Sequence, residues 1–169
     1  MAKDMLGAVT QKIVELPLKL ISGGESLVLD AVDGAETLAD AKDVFAYIDP
    51  DFKNWSVDER GPATEEAPIA VYEMCRSATF AQMFGELSID TNKLCLTQHQ
   101  IKKFVEKFLK WLHKDDYGTF FLFESKGNFF VALVDSNSSG RLLVHVYHFE
   151  GSHVWDAENR RRLVVPQLA

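Results

Sequence analysis

Two apolar runs, "TFFLF" at Thr119–Phe123 and "FFVALV" at Phe129–Val134, constrain the fold more than any other feature of the sequence. Both are rich in aromatic and β-branched residues, and the short segment between them contains Lys126-Gly127, a pattern that predicts a β-hairpin. Neither run alternates apolar with polar residues, although a sheet with one face in water should alternate. We therefore predict a sheet that is covered on both faces, by N-terminal helices, by the segment Ala46–Met74 or by a second subunit.

Four strand-like stretches occupy the C-terminal half of the chain. They are Thr119–Ser125, Asn128–Asp135, Arg141–Glu150 and His153–Val165. The connections between them, "KG", "SNSSG" and "GS", are short and polar, as hairpin loops are. Short connections favour antiparallel neighbours, because parallel pairing needs a long crossover. The sequence thus predicts a four-stranded or larger, mainly antiparallel sheet built as a C-terminal meander.

One long amphipathic helix is predicted between Thr97 and Lys114. Thr97 and Gln100 fit a capping box at its start, and Gly118 follows its end. Its apolar residues recur at the spacing of one helix face and are Ile101, Phe104, Val105, Phe108 and Leu112. We expect this helix to pack across the sheet, so the predicted fold class is α+β.

The first 44 residues contain fewer aromatic residues than the rest of the chain. An apolar stripe at helical spacing, interrupted by Pro17, runs through Met5, Val9, Ile13, Leu16 and Leu20. Weaker helical patterns cover Glu25–Val32 and Ala35–Phe45. We predict that residues 1–44 form a helical appendage for assembly, with the stripe as its interaction surface. Residues 45–169 would then form a single α+β domain.

The composition favours a soluble cytoplasmic protein. The net charge of −7 disfavours nucleic acid and anionic membranes as partners, because binding to phosphates depends on Lys and Arg. Cys75 and Cys95 are too few for a disulfide framework and fit no zinc pattern. The sequence contains neither a signal-peptide core nor the roughly 18 uncharged apolar residues that a membrane span requires. We expect no cofactor.

The stretch "LLVHVYHFEGSHVW", Leu142 to Trp155, contains three of the five histidines. Strand alternation places His145 on one face and His148 on the other. If Gly151-Ser152 is a two-residue hairpin loop, His148, Glu150 and His153 share a face and could hold a metal ion or act in acid–base chemistry. A three-residue loop would abolish this arrangement, and the histidines would then be ordinary, partly exposed hairpin residues.

Two further clusters have both a functional and a structural interpretation. Four lysines form a basic stripe on the predicted helix, namely Lys103, Lys107, Lys110 and Lys114. This stripe could contact an acidic partner, a phosphate or an acidic loop, or it could be a solvated helix face. Cys95 and His99 could form a thiol–imidazole couple, but no third residue that would orient the imidazole is evident, and the helix dipole opposes a protonated imidazole there.

The segments "YIDPDFKNW", "LCLTQHQI", "YGTFFLF" and "VVPQL" resemble a group of small bacterial proteins that have no known activity. The resemblance covers Ala46–Leu168 and implies only that this part is one module, to which residues 1–44 are a variable attachment. It implies no cofactor and no catalytic residue.

Three functional hypotheses follow. The first is a non-enzymatic interaction or assembly module, with a protein partner or self-association, acting through the aromatic-rich sheet face and the N-terminal amphipathic helix. The second is a small metal-dependent or acid–base enzyme, or a ligand-binding protein, that uses His148, Glu150 and His153. The third is an anion or nucleic-acid contact through the lysine stripe. The sequence contains no nucleophile elbow, zinc-protease motif or nucleotide-binding loop, so a standard enzyme is disfavoured.

Overall fold

The computed structural model describes residues 18–113 and 118–168. Its strands are β1 (Leu18–Leu20), β2 (Leu27–Leu29), β3 (Tyr47–Ile48), β4 (Ala67–Met74), β5 (Thr119–Ser125), β6 (Asn128–Ser136), β7 (Leu142–His148) and β8 (Arg162–Pro166). Its α-helices are α1 (Asp51–Asn54), α2 (Phe80–Gly85) and α3 (Gln98–Lys107). Short 3-10 turns cover Thr91–Leu94, Leu109–Trp111 and Ala157–Asn159.

The described strands form one eight-stranded, mostly antiparallel sheet, and the fold is of the α+β class. The order is β1-β4-β8-β5-β6-β7-β3, and β2 also pairs with β4. Only the β5–β8 and β3–β7 pairs are parallel. The predicted sheet is therefore present, and β5, β6 and β7 are the antiparallel meander expected from their short connections.

The fourth stretch of the predicted meander does not continue it. Residues from His153 onward do not pair with β7, and β8 instead lies between β4 and β5. The free side of β7 is taken at its start by β3, which pairs with Leu143 and Val144. The chain after β7 crosses the sheet by a different route, fixed by a bridge between Trp155 and Ala78.

The turn between β5 and β6 has the geometry that its sequence predicts. Lys126 and Gly127 both have positive φ angles, 52° and 80°. Two consecutive residues with positive φ are characteristic of the type I′ turn, whose twist matches that of the flanking strands. This turn fixes the register in which Phe121 lies opposite Ala132.

Both faces of the sheet are buried, as the non-alternating runs predict. On one face, residues such as Phe121, Phe123 and Val144 pack with α3 and the segment between Leu27 and Val57, and we call this the first core. On the other face, Phe120, Leu122 and Val131 pack with α2, Leu94 and Trp155 in the second core. Within the described chain, the cover on both faces comes from the protein's own elements.

The long helix is shorter than predicted. Its capping box is present: Thr97 Oγ1 accepts from Gln100 N at 3.1 Å, and Gln100 Oε1 accepts from Thr97 N at 2.9 Å. However, α3 ends at Lys107, and Phe108 leaves helical geometry with φ −120° and ψ 40°. The tighter turn that follows keeps Phe108 and Leu112 packed against the first core, a packing that outweighs the helical pattern.

The helical appendage is also corrected where it is described. Residues 18–44 contain no α-helix; β1 and β2 pair with β4, and Leu29 and Leu38 are fully buried in the first core. Pairing with an existing strand outweighs the weak helical patterns at Glu25–Val32 and Ala35–Phe45. Of the predicted interaction stripe, only Leu20 is described, in β1; Met5, Val9, Ile13 and Leu16 lie outside the described residues.

Candidate functional site

A pocket of about 560 Å³ opens beside the C-terminal end of β7. We call it the aromatic pocket, since six of its lining residues carry rings. The lining residues are Trp55, Phe80, Tyr147, His148, Gly151, His153 and Trp155. Its volume lies within the range of about 300–1,000 Å³ that is usual for small-molecule sites.

Trp55 forms one wall because Asp49 anchors the short helix α1 to β7. Asp49 Oδ1 accepts from Asp51 N at 2.9 Å, and its Oδ2 accepts from Val146 N at 3.2 Å. The chain leaves α1 at Trp55, whose indole stacks on the His148 imidazole with ring centroids 4.2 Å apart. One aspartate thus fixes both the start of α1 and the distance of Trp55 from β7.

Trp155 lines the pocket from the second core and is held by backbone pairing with the segment before α2. Trp155 N donates to Ala78 O at 2.9 Å, and Ala78 N donates to Trp155 O at 3.2 Å. The ring of Phe80, the first residue of α2, lies 5.2 Å from the Trp155 ring, and Tyr147 meets it edge to face at 5.3 Å. Phe80 and Trp155 belong to the second core, and Trp155 is only 7% exposed.

The end of β7 has an open edge. Beyond Val144, β7 has no strand partner on the β3 side among the described residues. Phe149 N donates to Phe129 O, so strand alternation directs the backbone N–H and C=O of His148 away from β6. The pocket lies on this edge, with Gly151 close to the His148 carbonyl.

His148 and His153 are exposed on this pocket and keep their ring nitrogens unpaired within the described chain. The contacts of the His148 ring are with Trp55 and Phe130, and that of the His153 ring is with Trp155. These are stacking and edge contacts, which hold the rings without engaging their nitrogens. Two imidazoles with hydrogen-bonding capacity therefore line one aromatic pocket.

The predicted set of His148, Glu150 and His153 is not assembled as a metal site. In the described parts of the chain, no group of three or more His, Cys, Asp or Glu side chains could hold a metal ion. The physical reason is that Gly151-Ser152 is not a two-residue hairpin loop, so Glu150 does not lie opposite His153. The structure brings the two histidines to the same pocket and leaves Glu150 out of its lining.

His145 lies on the other face of β7, as strand alternation predicts, and pairs with an acid. Its Nε2 lies 3.6 Å from Asp135 Oδ1, and Tyr47 packs on its ring at 5.4 Å. At 3.6 Å the contact is an ion pair, and Asp135 Oδ1 has no hydrogen-bond donor among the described residues. Asp135 raises the pKa of His145 and outweighs the opposing effect of burial.

The lysine stripe contacts acidic groups of its own chain. Lys107 Nζ donates to Val28 O at 2.9 Å and lies 3.4 Å from Asp30 Oδ1, while Lys110 lies 4.0 Å from Glu25. Lys103 lies 3.9 Å from Glu106. Lys114 is outside the described residues. Lys107 and Lys110 thus contact the segment that contains β2, whereas Lys103 pairs within α3.

Lys102 is not part of the predicted stripe, and it too pairs with acidic residues of its own chain. It is buried, with Nζ 2.9 Å from Glu36 Oε1 and 3.2 Å from Asp43 Oδ2. Burial opposes its charge, but the hydrogen bonds to Glu36 and Asp43 prevail and raise the pKa of Lys102. The same hydrogen bonds lower the pKa of both carboxyl groups.

Cys95 and His99 do not form a catalytic couple. Burial raises the pKa of the Cys95 thiol to about 12, which keeps it protonated and unreactive at neutral pH. His99 is buried elsewhere: its Nδ1 accepts from Gly34 N at 3.1 Å, and its Nε2 lies 2.7 Å from Glu36 Oε2. His99 therefore anchors the loop around Gly34.

Sequence reasoning found two members of the pocket, His148 and His153, and missed its four aromatic residues. Trp55, Phe80, Tyr147 and Trp155 come from separate elements, and no spacing pattern connects them. Their signal in the sequence is only the aromatic content of each segment, because the contacts that join them are long-range.

Comparisons with protein-family models, with curated proteins and with solved structures find no match to this chain. No helix among residues 18–113 and 118–168 is long and apolar enough to cross a membrane. Function is therefore argued from the geometry of the aromatic pocket.

Proposed function

We propose that this chain is a non-enzymatic binding module whose aromatic pocket takes a small ligand, or a side chain of a partner, that carries a flat apolar ring. The observation that carries the proposal is the aromatic lining of the pocket, to which Trp55 contributes from the first core and Trp155 from the second. Aromatic side chains supply large apolar contact areas and prefer stacked or edge-to-face partners. A flat ring is the shape that such a lining accommodates.

The pocket replaces the sheet face as the proposed binding surface. Phe120, Leu122 and Val131, which belong to the aromatic-rich strands, are buried under α2 and Trp155. The apolar stripe at the N-terminus stays a prediction, and the oligomeric state of the full chain is the property that tests it.

Binding is favoured over catalysis by the surroundings of the two histidines. A catalytic imidazole is normally oriented by a carboxylate or placed beside a nucleophile. Within the described chain, no carboxylate or thiol lines the pocket with His148 and His153. Their unpaired nitrogens are therefore assigned to recognition of the ligand.

The proposal is tested by blocking the pocket at Gly151. A Cβ at Gly151 would make only ordinary contact, 3.7 Å from His148 O, so a larger side chain there fills pocket space without backbone strain. Saturation-transfer NMR with indole as the probe should show binding to the wild-type protein, with a Kd on the order of 1 mM. Gly151→Phe should abolish this signal.

The matched control is Gly24→Phe, at a position where a Cβ meets nothing within 4 Å and which does not line the pocket. It should bind indole like the wild type, and both variants should keep the wild-type Tm. Equal saturation transfer to the wild type and to Gly151→Phe would contradict the proposal.

A further inference from the structure

We infer that the aromatic pocket selects ring-bearing ligands that also carry a carboxylate; this inference rests on the proposed function. It begins with the ionisable groups of the lining, which in the described chain are His148, His153 and the phenol of Tyr147. Among the described residues, no Asp or Glu lines the pocket to attract a cationic ligand. The two imidazoles and the phenol each offer a hydrogen-bond donor.

The two imidazoles are suited to a carboxylate. Each has an N–H to donate, and neither forms a hydrogen bond or ion pair with another described residue. Stacking on Trp55 holds the His148 ring, and an edge contact with Trp155 at 4.6 Å holds the His153 ring. Since the rings are held in place, less conformational entropy is lost when their donors engage a carboxylate.

A positive charge also lies beside the Trp155 wall. The Arg161 guanidinium is 4.8 Å from the Trp155 ring centroid. Because Arg161 already occupies this ring, a second cation at the same ring is disfavoured. A quaternary ammonium, the usual ligand of an aromatic cage, is therefore not the expected occupant.

The chemistry favours a carboxylate over a phosphate. Phosphate sites in proteins are commonly built from clusters of Arg or Lys, and neither residue type lines the described pocket. A carboxylate can be bound by one or two neutral donors, which the imidazoles supply.

Two acids neighbour the pocket without lining it. Glu150 is exposed in the turn after β7, and Asp156 Oδ1 accepts from Glu158 N at 2.9 Å. Glu150 opposes an anionic ligand through solvent, where the interaction is weak. Glu150→Gln should therefore tighten binding of an aromatic carboxylate by about twofold.

The test uses three ligands that share one ring system and differ in the charge of the side chain. Isothermal titration at low salt compares indole-3-acetate, the neutral alcohol tryptophol and the cationic amine tryptamine. We expect indole-3-acetate to bind about tenfold more tightly than tryptophol, since a charge-assisted hydrogen bond contributes roughly a factor of ten. Tryptamine should bind most weakly.

The double variant His148→Phe, His153→Phe keeps both aromatic contacts and removes the ring donors. In this variant the preference for indole-3-acetate over tryptophol should disappear, because the donors that distinguish the two compounds are gone. The Tm of the variant checks that it is folded.

The possible failures are distinguishable. Equal affinity of the wild type for the acid and the alcohol, or tighter binding of tryptamine, would overturn the inference and leave the proposed function standing. A preference for indole-3-acetate that persists in the double variant would overturn the assignment to the histidines. Binding of none of the three compounds at millimolar concentration would overturn the inference and the proposed function together.

Discussion

The imidazole of His148 stacks on the indole of Trp55, with ring centroids 4.2 Å apart and ring planes 28° apart. His148 ends β7, and Trp55 ends the short helix that Asp49 ties to the same strand. The stacked pair closes one side of the aromatic pocket, so the same contact contributes to stability and to the shape of the site.

The stacking predicts energetic coupling between these two residues. In a double-mutant cycle with Trp55→Ala and His148→Ala, the free energies of unfolding should differ from additivity by about 1 kcal/mol. Urea unfolding of the four proteins measures this. The matched cycle of Trp55→Ala with His153→Ala should be additive to within about 0.5 kcal/mol, because His153 contacts Trp155 instead. Equal coupling in both cycles would contradict a specific Trp55–His148 contact.

Lys102 and Lys103 are adjacent in α3 and should respond very differently to substitution. Lys102 is buried between Glu36 and Asp43, whereas Lys103 is 41% exposed. Lys102→Met should lower the free energy of unfolding by about 1 kcal/mol, because it removes ion pairs to two carboxylates that are themselves exposed. Lys103→Met should change it by less than about 0.5 kcal/mol. Chemical denaturation measures the free energy of unfolding of both variants. Similar losses for both would show that the ion pairs of Lys102 with Glu36 and Asp43 do not contribute to stability.

Gly34 has a positive φ angle and no room for a Cβ atom. Its φ is +79°, and a Cβ there would lie 2.3 Å from Pro62 O. Gly127 has a similar φ of +80° but open space around it. Gly127→Ala should cost about 1–2 kcal/mol from backbone strain alone, and Gly34→Ala should cost several kcal/mol more, because the loop must move away from Pro62. Thermal unfolding checks both variants. A Gly34→Ala protein as stable as Gly127→Ala would show that the loop adapts freely.

The ion pair of His145 with Asp135 gives a pH dependence of definite sign. The pKa of His145 is raised above its usual value of 6.5 in the folded protein. The pair therefore contributes stability that is fully present below pH 6.5 and is lost as the pH rises through the folded pKa. His145→Gln and Asp135→Asn should each flatten the pH dependence of unfolding in this window, by about 0.5 kcal/mol. The free energy of unfolding is measured from pH 6.5 upward. If the wild type loses no more stability over this range than the two variants, the ion pair does not contribute as predicted.

Local signals in the sequence predicted local features well. Lys126-Gly127 predicted its turn, Thr97 and Gln100 predicted a helix start, and the apolar runs predicted a sheet buried on both faces. Each of these depends on a few neighbouring residues or on the burial of one strand, so a short window contains the information.

The features that sequence reasoning missed are all long-range. The position of β8 depends on where the chain travels after His148, which the pairing of Trp155 with Ala78 fixes. The segment Leu27–Leu29 is a strand because it pairs with β4, although its own sequence pattern is weakly helical. In the candidate site, the histidines stood out by composition, whereas Trp55 becomes their neighbour only through Asp49.

The most direct test of the central claim is the response of the three tryptophan side chains to a bound ring. In a ¹H–¹⁵N correlation spectrum titrated with indole, the indole N–H signals of Trp55 and Trp155 should shift together with one saturation curve. The signal of Trp111 should stay in place, because Trp111 packs against the first core and does not line the pocket. Shifts of all three signals alike, or of none at saturating indole, would contradict the assignment of the aromatic pocket as the binding site.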